Sequence, residues 1–186
     1  EKYIEKKRRK LLVIFRGINT DYFNSQNVSS SKIKQFRSQW KIYKNYYNIL
    51  MPGRLSNWKG QKIFIEAIRI LSLKENLKPF TAIILGSEQG RNIYKKQLIG
   101  LVEQHRLGNV IKFIDHCSEM PVVYKISNIV VSASIEPEAF GRIAVEAQSM
   151  SRPIIASNLG GSIETIINQR TGMLVNYGDP QVLAEA

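Results

Sequence analysis

Apolar runs alternate with amphipathic segments along most of this 186-residue chain. Six short apolar runs predict buried β-strands: Asn48–Met51, Thr81–Leu85, Val110–Ile114, Ile129–Ser132, Ile154–Ser157 and Gly172–Val175. The intervening segments predict helices over roughly 60–75, 91–105, 119–126, 141–150 and 161–168, and a further helix after Asp179. Strands without polar alternation, separated by helices, indicate an α/β fold with a parallel sheet covered on both faces.

The first 46 residues have a different pattern and predict a leader that precedes the sheet. Leu11–Phe15 is a short apolar run that predicts one strand, and Ser29–Ser31 provides an N-cap for a helix over roughly 32–42. In that helix, apolar residues three to four apart predict one buried stripe, formed by Ile33, Phe36, Trp40 and Tyr43.

The net charge of +12 is concentrated in this leader. Residues 1–46 carry twelve basic and three acidic residues, a net charge of +9, and include the run Lys6–Lys10. Residues 47–186 carry only +3, which is ordinary for a globular domain. Nucleic-acid binding is disfavoured, because the leader lacks regularly spaced aromatic residues on which bases could stack.

The composition excludes several classes of site. A single cysteine excludes a disulfide framework and a cysteine-based zinc site, and it fits a reducing compartment. His105 and His116 are the only histidines, which leaves little material for a histidine-built metal centre. No apolar run reaches the roughly 18 residues that span a bilayer. The chain begins with Glu1 and stops within its last predicted helix, so we expect a fragment of a longer protein.

Covered parallel sheets bind ligands beyond the carboxyl ends of their strands, so functional residues are expected in those loops. The loop after the first strand contains Arg54 and Lys59 and leads into a helix near Gln61. A guanidinium group, an ammonium group and free helix amides could together hold an anion there. The alternative, which this loop alone slightly favours, is that the two residues are solvated surface cations.

Two further loops contain glycine pairs whose purpose the sequence does not decide. Gly86–Gly90 follows the second strand and could let a ligand approach the backbone closely, or it could simply form a turn. Gly160–Gly161 follows the fifth strand and leaves the same two alternatives open.

The loop after the fourth strand, within Ser134–Ala147, is the most informative segment. A helix is predicted to start near Phe140–Gly141, where its free amides and positive dipole end could face a phosphate. Glu138 and Glu146 are eight residues apart, about 12 Å if the helical rise applied throughout. Such spacing suits an extended ligand with hydroxyl groups at both ends. In the alternative, Glu138 only complements the helix dipole and Glu146 lies on the surface, but the apolar neighbours of Glu146 predict burial.

Taken together, these segments resemble the C-terminal nucleotide-sugar-binding domain of retaining GT-B glycosyltransferases of family 4, over roughly residues 14–186. The resemblance rests on the Glu-x7-Glu pattern at 138–146 and on four other segments. These are Arg16–Phe23, the Gly-Arg-Leu…Lys-Gly loop at 53–60, Thr171–Val175 and Gly178–Pro180. It implies a Rossmann-like doubly wound parallel sheet that forms the C-terminal half of a GT-B enzyme.

The resemblance also implies roles for individual residues. Arg54 and Lys59 would bind the donor diphosphate and stabilise the departing nucleotide, and Glu138 would contact hydroxyl groups of the transferred sugar, which makes these three the catalytic candidates. Glu146 would bind the ribose. The backbone at Phe140, Gly141, Arg142 and Ile143 would lie against the phosphates, Gly86 would border the donor and Asp115 would face the base. No metal and no cofactor would be needed, since the nucleotide-diphosphate sugar is the substrate.

The resemblance further implies a missing partner domain. Residues 1–46 would comprise the basic leader, the last strand of an absent N-terminal domain and the interdomain connection, and residues 47–186 would form the donor domain. The fragment alone would bind donor with little or no turnover. The leader would meet the absent domain or an anionic membrane surface, which implies a cytoplasmic protein, peripheral at the inner face of the membrane.

Some residues depart from the family pattern, and other functions remain open. Ser151 replaces the usual glycine before x-Pro, Asn19 replaces a common aspartate, and the second loop is Gly-Ser-Glu-Gln-Gly rather than Gly-Asp-Gly. The variants around Phe140–Arg142 look most like enzymes that build bacterial surface polysaccharide or lipopolysaccharide. The alternatives are a non-catalytic nucleotide-binding module of the same fold and a sugar-phosphate epimerase of related fold.

Overall fold

The computed structural model describes residue 14 and residues 16–90 and 92–186. The strand predicted at 11–15 therefore lies outside the described residues, apart from Ile14. One six-stranded sheet has the order β3-β2-β1-β4-β5-β6, with every pair of neighbours parallel. Its strands are β1 (Tyr47–Pro52), β2 (Phe80–Leu85), β3 (Ile111–Ile114), β4 (Ile129–Ser132), β5 (Ile154–Ser157) and β6 (Met173–Val175). The six strands predicted from apolar runs are confirmed to within one residue at either end.

Helices connect successive strands, as the amphipathic segments predict. The helix α1 (Ser30–Gln39) precedes β1. The connecting helices are α2 (Gln61–Ser72), α3 (Asn92–Gln104), α4 (Met120–Ile126), α5 (Arg142–Ser149) and α6 (Gly161–Thr165), and α7 (Pro180–Glu185) follows β6. Two 3-10 turns are added at Ser25–Asn27 and Asn57–Lys59. The doubly wound Rossmann-like class predicted from the sequence is confirmed.

Two hydrophobic clusters cover the two faces of the sheet, because successive strand residues point to opposite sides. Leu50 and Val130 belong to the cluster that α1, α4 and α5 cover, whereas Met51 and Val131 belong to the cluster under α2, α3 and α7. Both faces of the central strands are thus buried, which explains why their sequences show no polar alternation.

Helix α1 differs from its prediction at the C-terminal end. It ends at Gln39 rather than near residue 42, and Lys41 adopts a left-handed conformation with φ of 51°. This reversal turns Ile42 into the core and leaves Tyr43 62% exposed, so Tyr43 is not part of the predicted stripe. At the other end, the predicted cap is confirmed, since the Ser29 side chain accepts a hydrogen bond from the Lys32 amide.

The part of the leader that the structure describes packs against the sheet domain. Phe23, Phe36 and Ile42 all precede residue 46, yet they are buried in the same cluster as Tyr124 of α4. The Ser149 hydroxyl at the end of α5 donates a hydrogen bond to the Phe23 carbonyl at 2.6 Å. Segments before and after residue 46 therefore share one hydrophobic core.

The order of the strands reverses between β1 and β4. The chain moves outward from β1 through β2 to β3, then crosses back to β4 and continues through β5 to β6 on the opposite side. Loops that follow β1 and β4 therefore diverge to opposite faces and leave a crevice between them. Arg54 follows β1 and Glu138 follows β4 at this position.

Candidate functional site

A cavity of about 460 Å³ occupies this crevice. Its walls come from the loops after the first four strands and from the start of α5. Nine of the ten residues selected from the sequence line it: Arg54, Lys59, Gly86, Glu138, Phe140, Gly141, Arg142, Ile143 and Glu146. The fold thus brings together residues that are up to 92 positions apart in the sequence.

Lys59 and Glu138 form an ion pair across the crevice. Lys59 Nζ lies 2.8 Å from Glu138 Oε1, and the two side chains are only 13% and 12% exposed. The Ser134 hydroxyl donates a second hydrogen bond to the same carboxylate oxygen. Lys59 is therefore not a solvated surface cation, as the alternative interpretation held. Glu138 does more than complement the helix dipole, because Lys59 and Ser134 bind its carboxylate directly.

Arg54 extends into the cavity from a fixed backbone. The Gln61 side-chain amide donates to the Arg54 carbonyl at 3.0 Å, and Arg54 Nη1 donates to Gln89 Oε1 at 3.3 Å. Arg54 itself is exposed, and within the described residues no carboxylate lies within ion-pair distance of it. Its guanidinium group retains donors that can bind an incoming anion.

Glu146 lies on α5, its side chain is buried, and both of its carboxylate oxygens accept hydrogen bonds. It is 5% exposed, and the Tyr124 hydroxyl donates to its Oε2 at 2.8 Å. Arg142, one turn earlier, donates to Oε1 from Nε at 3.2 Å and from Nη2 at 2.9 Å. The burial predicted from the apolar neighbours of Glu146 is confirmed, and the surface alternative is wrong.

The start of α5 faces the cavity with amides that no side chain caps. Gly141 is the N-cap residue, with φ of 74°, and its cap position has no side-chain hydrogen bond. The first turn of a helix leaves its N–H groups without backbone acceptors, and they carry partial positive charge. Glu138 lies before this helix, so the 12 Å separation expected from helical rise does not apply to Glu138 and Glu146.

Gly86 is required by the backbone of the neighbouring loop. Its φ is +150°, and a Cβ at this position would lie 2.0 Å from the Gly53 carbonyl oxygen. The Gly53 amide in turn donates to the Leu85 carbonyl at 2.8 Å. The glycine therefore allows the loops after β1 and β2 to meet and helps to set the position of Arg54.

Gly160 lies in the turn that the sequence allows as one of its two alternatives, with φ of 58°, and both glycines also support the segment that carries Glu138. A Cβ on Gly160 would lie 2.6 Å from the Glu138 amide nitrogen, and one on Gly161 would lie 2.5 Å from the Phe140 carbonyl carbon. The Gly161 amide donates to the Glu138 carbonyl at 2.7 Å. Because neither glycine has a side chain, the loop that carries Glu138 and Phe140 can pack directly against their backbone.

Asp115 is the predicted residue that the structure does not bring to the cavity. Its side chain is 77% exposed, and it pairs with Lys95 of α3 at 2.8 Å. The next two residues, His116 and Cys117, line the cavity instead. Burial, together with the nearby Glu119 carboxylate, raises the pKa of the Cys117 thiol.

Several cavity residues had no assigned role in the sequence analysis. Arg16 reaches the cavity from the described end of the leader, and Tyr124 reaches it from α4. Arg16 stands within a motif that was used only for the family resemblance. Tyr124 could have been suspected from a hydroxyl group that directly follows the apolar residues 120–123 of α4. Gln89 and His116 carry no comparable signal.

The charges that line the cavity favour a dianion. Among the Lys, Arg, Asp and Glu residues that the structure describes, four cations (Arg16, Arg54, Lys59 and Arg142) line the cavity with two carboxylates, Glu138 and Glu146. Both carboxylates are already paired, with Lys59 and Arg142. An excess of two positive charges beside an uncapped helix start is complementary to a diphosphate.

Two classes of feature are not found in the described part of the chain. Over residues 16–90 and 92–186 there is no group of three or more His, Cys, Asp or Glu side chains arranged to hold a metal ion. Within the same residues, no helix combines the length and the apolar character needed to cross a bilayer.

Known proteins resemble this chain in both sequence and fold. The family model described as "Glycosyl transferases group 1" matches residues 32–186. D-inositol 3-phosphate glycosyltransferase of Corynebacterium glutamicum (strain R) is 32% identical over 140 residues, which are 74% of this chain and 33% of that protein.

Two solved structures superpose closely. A glycosyltransferase from Rickettsia africae ESF-5 has a TM-score of 0.90 at 32% identity, over 99% of this chain and 50% of that one. Anabaena Alr3699/HepE, solved in complex with UDP-glucose, has a TM-score of 0.83 at 30% identity, over 94% of this chain and 46% of that one. This chain therefore spans between a third and a half of the length of these three proteins.

Proposed function

Since this chain belongs to the glycosyl transferases group 1 family, we propose that it is the donor-binding half of a retaining glycosyltransferase. Its substrate is a nucleotide-diphosphate sugar, from which the sugar is transferred to a glycan or a lipid-linked acceptor. The enzyme functions in bacterial surface polysaccharide or lipopolysaccharide synthesis, in line with the variants around Phe140–Arg142.

One observation carries the proposal. Arg54 and Lys59 of the loop after β1, and the uncapped start of α5 after β4, converge on a single cavity at the switch point of the sheet. Glu138 and Glu146 lie in the same cavity. Cations and amides that suit a diphosphate are thus combined with carboxylates that suit hydroxyl groups on either side of it.

Arg54 and Lys59 act on the leaving group. When the bond between the sugar and the β-phosphate breaks, negative charge grows on the phosphate oxygens. Donors that are already fixed in place stabilise that charge without reorganising. Lys59 is held by Glu138, and the Arg54 backbone is held by Gln61, so both begin near their working positions. In this proposal, fixed cations perform the work for which other enzymes use a metal ion.

The two carboxylates bind the two ends of the donor. Glu138 accepts hydrogen bonds from the transferred sugar, and Glu146 accepts them from the ribose, with the diphosphate between them at the start of α5. The UDP-glucose bound in Alr3699/HepE, which is 30% identical to this chain, supports a donor of this class. His116 and Cys117, rather than Asp115, border the part of the cavity left for the base.

A second domain completes the enzyme. We place the acceptor site and the remaining acid and base groups on an N-terminal domain that faces the cavity, consistent with relatives that are two to three times as long. The connection between the two domains lies within residues 1–46, of which Phe23, Phe36 and Ile42 pack in the core of the donor domain. The basic leader meets that domain or the anionic inner face of the cytoplasmic membrane, where lipid-linked acceptors reside.

The alternative function is a non-catalytic nucleotide-binding module, in which the same cavity holds a nucleotide but no transfer occurs. The Lys59–Glu138 pair argues against it, because a module that only binds nucleotide has no use for a carboxylate at the sugar end. An epimerase of related fold would convert a nucleotide sugar without any acceptor.

Product analysis with the full-length protein tests the proposal. Nucleotide sugars are supplied with and without bacterial membrane extract as the source of acceptor, and both nucleotide release and the anomeric configuration of the product are followed by NMR. We expect acceptor-dependent release with retained configuration, and a loss of at least tenfold in turnover for Arg54→Ala and Lys59→Ala but not for Arg170→Ala. Binding of nucleotide without release would favour the non-catalytic module, and conversion without acceptor would favour the epimerase.

A further inference from the structure

We propose that Tyr124 is a positioning residue that sets the Glu146 carboxylate for the ribose hydroxyl groups of the donor. This inference rests on the proposed function, in which Glu146 binds the ribose. Tyr124 belongs to a different helix, α4, and connects to the site through its hydroxyl group.

The geometry of Tyr124 allows little movement. The side chain is fully buried, and its ring packs edge-on against Phe23, with 6.1 Å between ring centroids. Phe23 is in turn held by the Ser149 hydroxyl at the end of α5. The phenol ring is therefore fixed by packing against Phe23, whose backbone is bonded to the helix that carries Glu146.

Tyr124 acts as a hydrogen-bond donor to Glu146. Burial, and then the adjacent Glu146 charge, raise the pKa of Tyr124 well above its ordinary value. The phenol therefore keeps its proton, and Oε2 accepts a hydrogen bond from it at 2.8 Å. A buried carboxylate that receives a charge-assisted bond from a rigid donor has its plane and rotamer fixed.

Arg142, the other partner of Glu146, is much more exposed than Tyr124. Arg142 holds Oε1, but its side chain is 60% exposed, whereas that of Glu146 is 7% exposed. Such an exposed partner can move aside at low cost when ribose hydroxyl groups approach Oε1. Tyr124 keeps hold of Oε2 during this exchange, so the carboxylate faces the ligand instead of rotating.

The test compares ribonucleotides with analogues that lack the relevant hydroxyl groups. For the full-length protein, dissociation constants are measured by calorimetry for UDP, GDP and ADP and for their 2′,3′-dideoxy analogues. The variants are Tyr124→Phe and Glu146→Gln. Tyr177→Phe is the control, because Tyr177 is 55% exposed and lies outside the cavity.

If Tyr124 positions Glu146, its removal should weaken the binding of ribonucleotides but not that of dideoxynucleotides. Tyr124→Phe should weaken ribonucleotide binding about 5- to 30-fold and leave dideoxy binding within about twofold. The loss is smaller than that of a full hydrogen bond to a charged group, because the variant lacks the Tyr124–Glu146 bond in its free and its bound state alike. Glu146→Gln should reduce the same preference for ribonucleotides, and Tyr177→Phe should leave the affinity for both ligand types unchanged. Equal weakening of both ligand types by Tyr124→Phe, or no weakening of either, would overturn the role of Tyr124. If the wild type bound no nucleotide at all, the proposed function itself would fail instead.

Discussion

Lys59 Nζ lies 2.8 Å from Glu138 Oε1, so that a single ion pair joins the loop after β1 to the loop after β4. Both side chains are mostly buried, and the Ser134 hydroxyl donates a further hydrogen bond to the carboxylate. Removing either partner would leave the other charge desolvated and unpaired.

The first prediction concerns the stability of this pair. Lys59→Ala and Glu138→Ala should each lower the free energy of unfolding by about 2–4 kcal/mol, because each leaves one buried charge uncompensated. The double variant should be more stable than the sum of the single changes implies, by about 1–3 kcal/mol. Urea denaturation followed by circular dichroism measures all four proteins. Additive single effects would show that the two side chains do not interact.

The second prediction separates binding from stability at Arg54. Arg54→Ala should weaken nucleoside diphosphate binding about 10- to 100-fold, because charge-assisted hydrogen bonds to phosphate are lost. Since Arg54 is exposed, the free energy of unfolding should change by less than about 0.5 kcal/mol.

A matched change at Arg170, which is also exposed and lies outside the cavity, is the control for this measurement. Arg170→Ala should alter neither the affinity nor the stability. Unchanged affinity in Arg54→Ala, measured at the same ionic strength, would remove Arg54 from the diphosphate site.

The third prediction concerns the glycine that supports the Glu138 loop. Gly161→Ala places a Cβ 2.5 Å from the Phe140 carbonyl carbon, so the loop must move. We expect a loss of about 1–3 kcal/mol in the free energy of unfolding, together with weaker donor binding. Thermal melts and titrations of the same samples measure both effects.

Gly100→Ala is the matched control. Gly100 lies within α3, and a Cβ there would meet nothing within 4 Å. The change should stabilise the protein by about 0.5–1 kcal/mol, as alanine does in a helix interior. If Gly161→Ala behaved like Gly100→Ala, the Glu138 loop would not depend on close approach at Gly161.

The strands and the burial of one site residue could be predicted from the sequence, whereas the end of helix α1 could not. The strands were predictable because each is a short apolar run that is buried on both faces, as Leu50 and Met51 illustrate. Burial of Glu146 was predictable from its apolar neighbours. Helix α1 was predicted too long, because the left-handed conformation of Lys41 that ends it has no signal of the kind that glycine gives.

The partners of the site residues could not be predicted, because they come from distant segments. Nothing in the local sequence relates Lys59 to Glu138, 79 residues away, or Tyr124 to Glu146 on another helix. The glycines at 160 and 161 suggested a turn or a ligand, and only the packing of two loops shows that they make room for backbone. Asp115 was chosen for its place after a strand, but its side chain turns to Lys95.

The fourth prediction uses Cys117, the only cysteine in the chain, as a reporter of the cavity. Thiolates are the reactive form, and burial raises the pKa of Cys117 above its ordinary value. Alkylation by iodoacetamide should therefore be slow at pH 7 and should accelerate only at a pH above that at which the unfolded chain reacts. A bound nucleoside diphosphate should slow the reaction several-fold.

Mass spectrometry of the labelled protein over time measures this rate, and the urea-unfolded protein provides the reference pH profile. Saturating nucleotide that left the labelling rate unchanged would place the ligand elsewhere. A folded protein that reacted at lower pH than the unfolded chain would contradict the direction of the pKa shift.

Calorimetric titration of the protein with UDP, GDP and ADP and with their sugar conjugates tests the central claim most directly. We predict saturable one-to-one binding of at least one nucleotide, with a dissociation constant in the millimolar range or tighter, and loss of that binding in the Arg54→Ala/Lys59→Ala double variant. If none of these nucleotides bound at millimolar concentration, or if the double variant bound as tightly as the wild type, the donor site would not lie in this cavity.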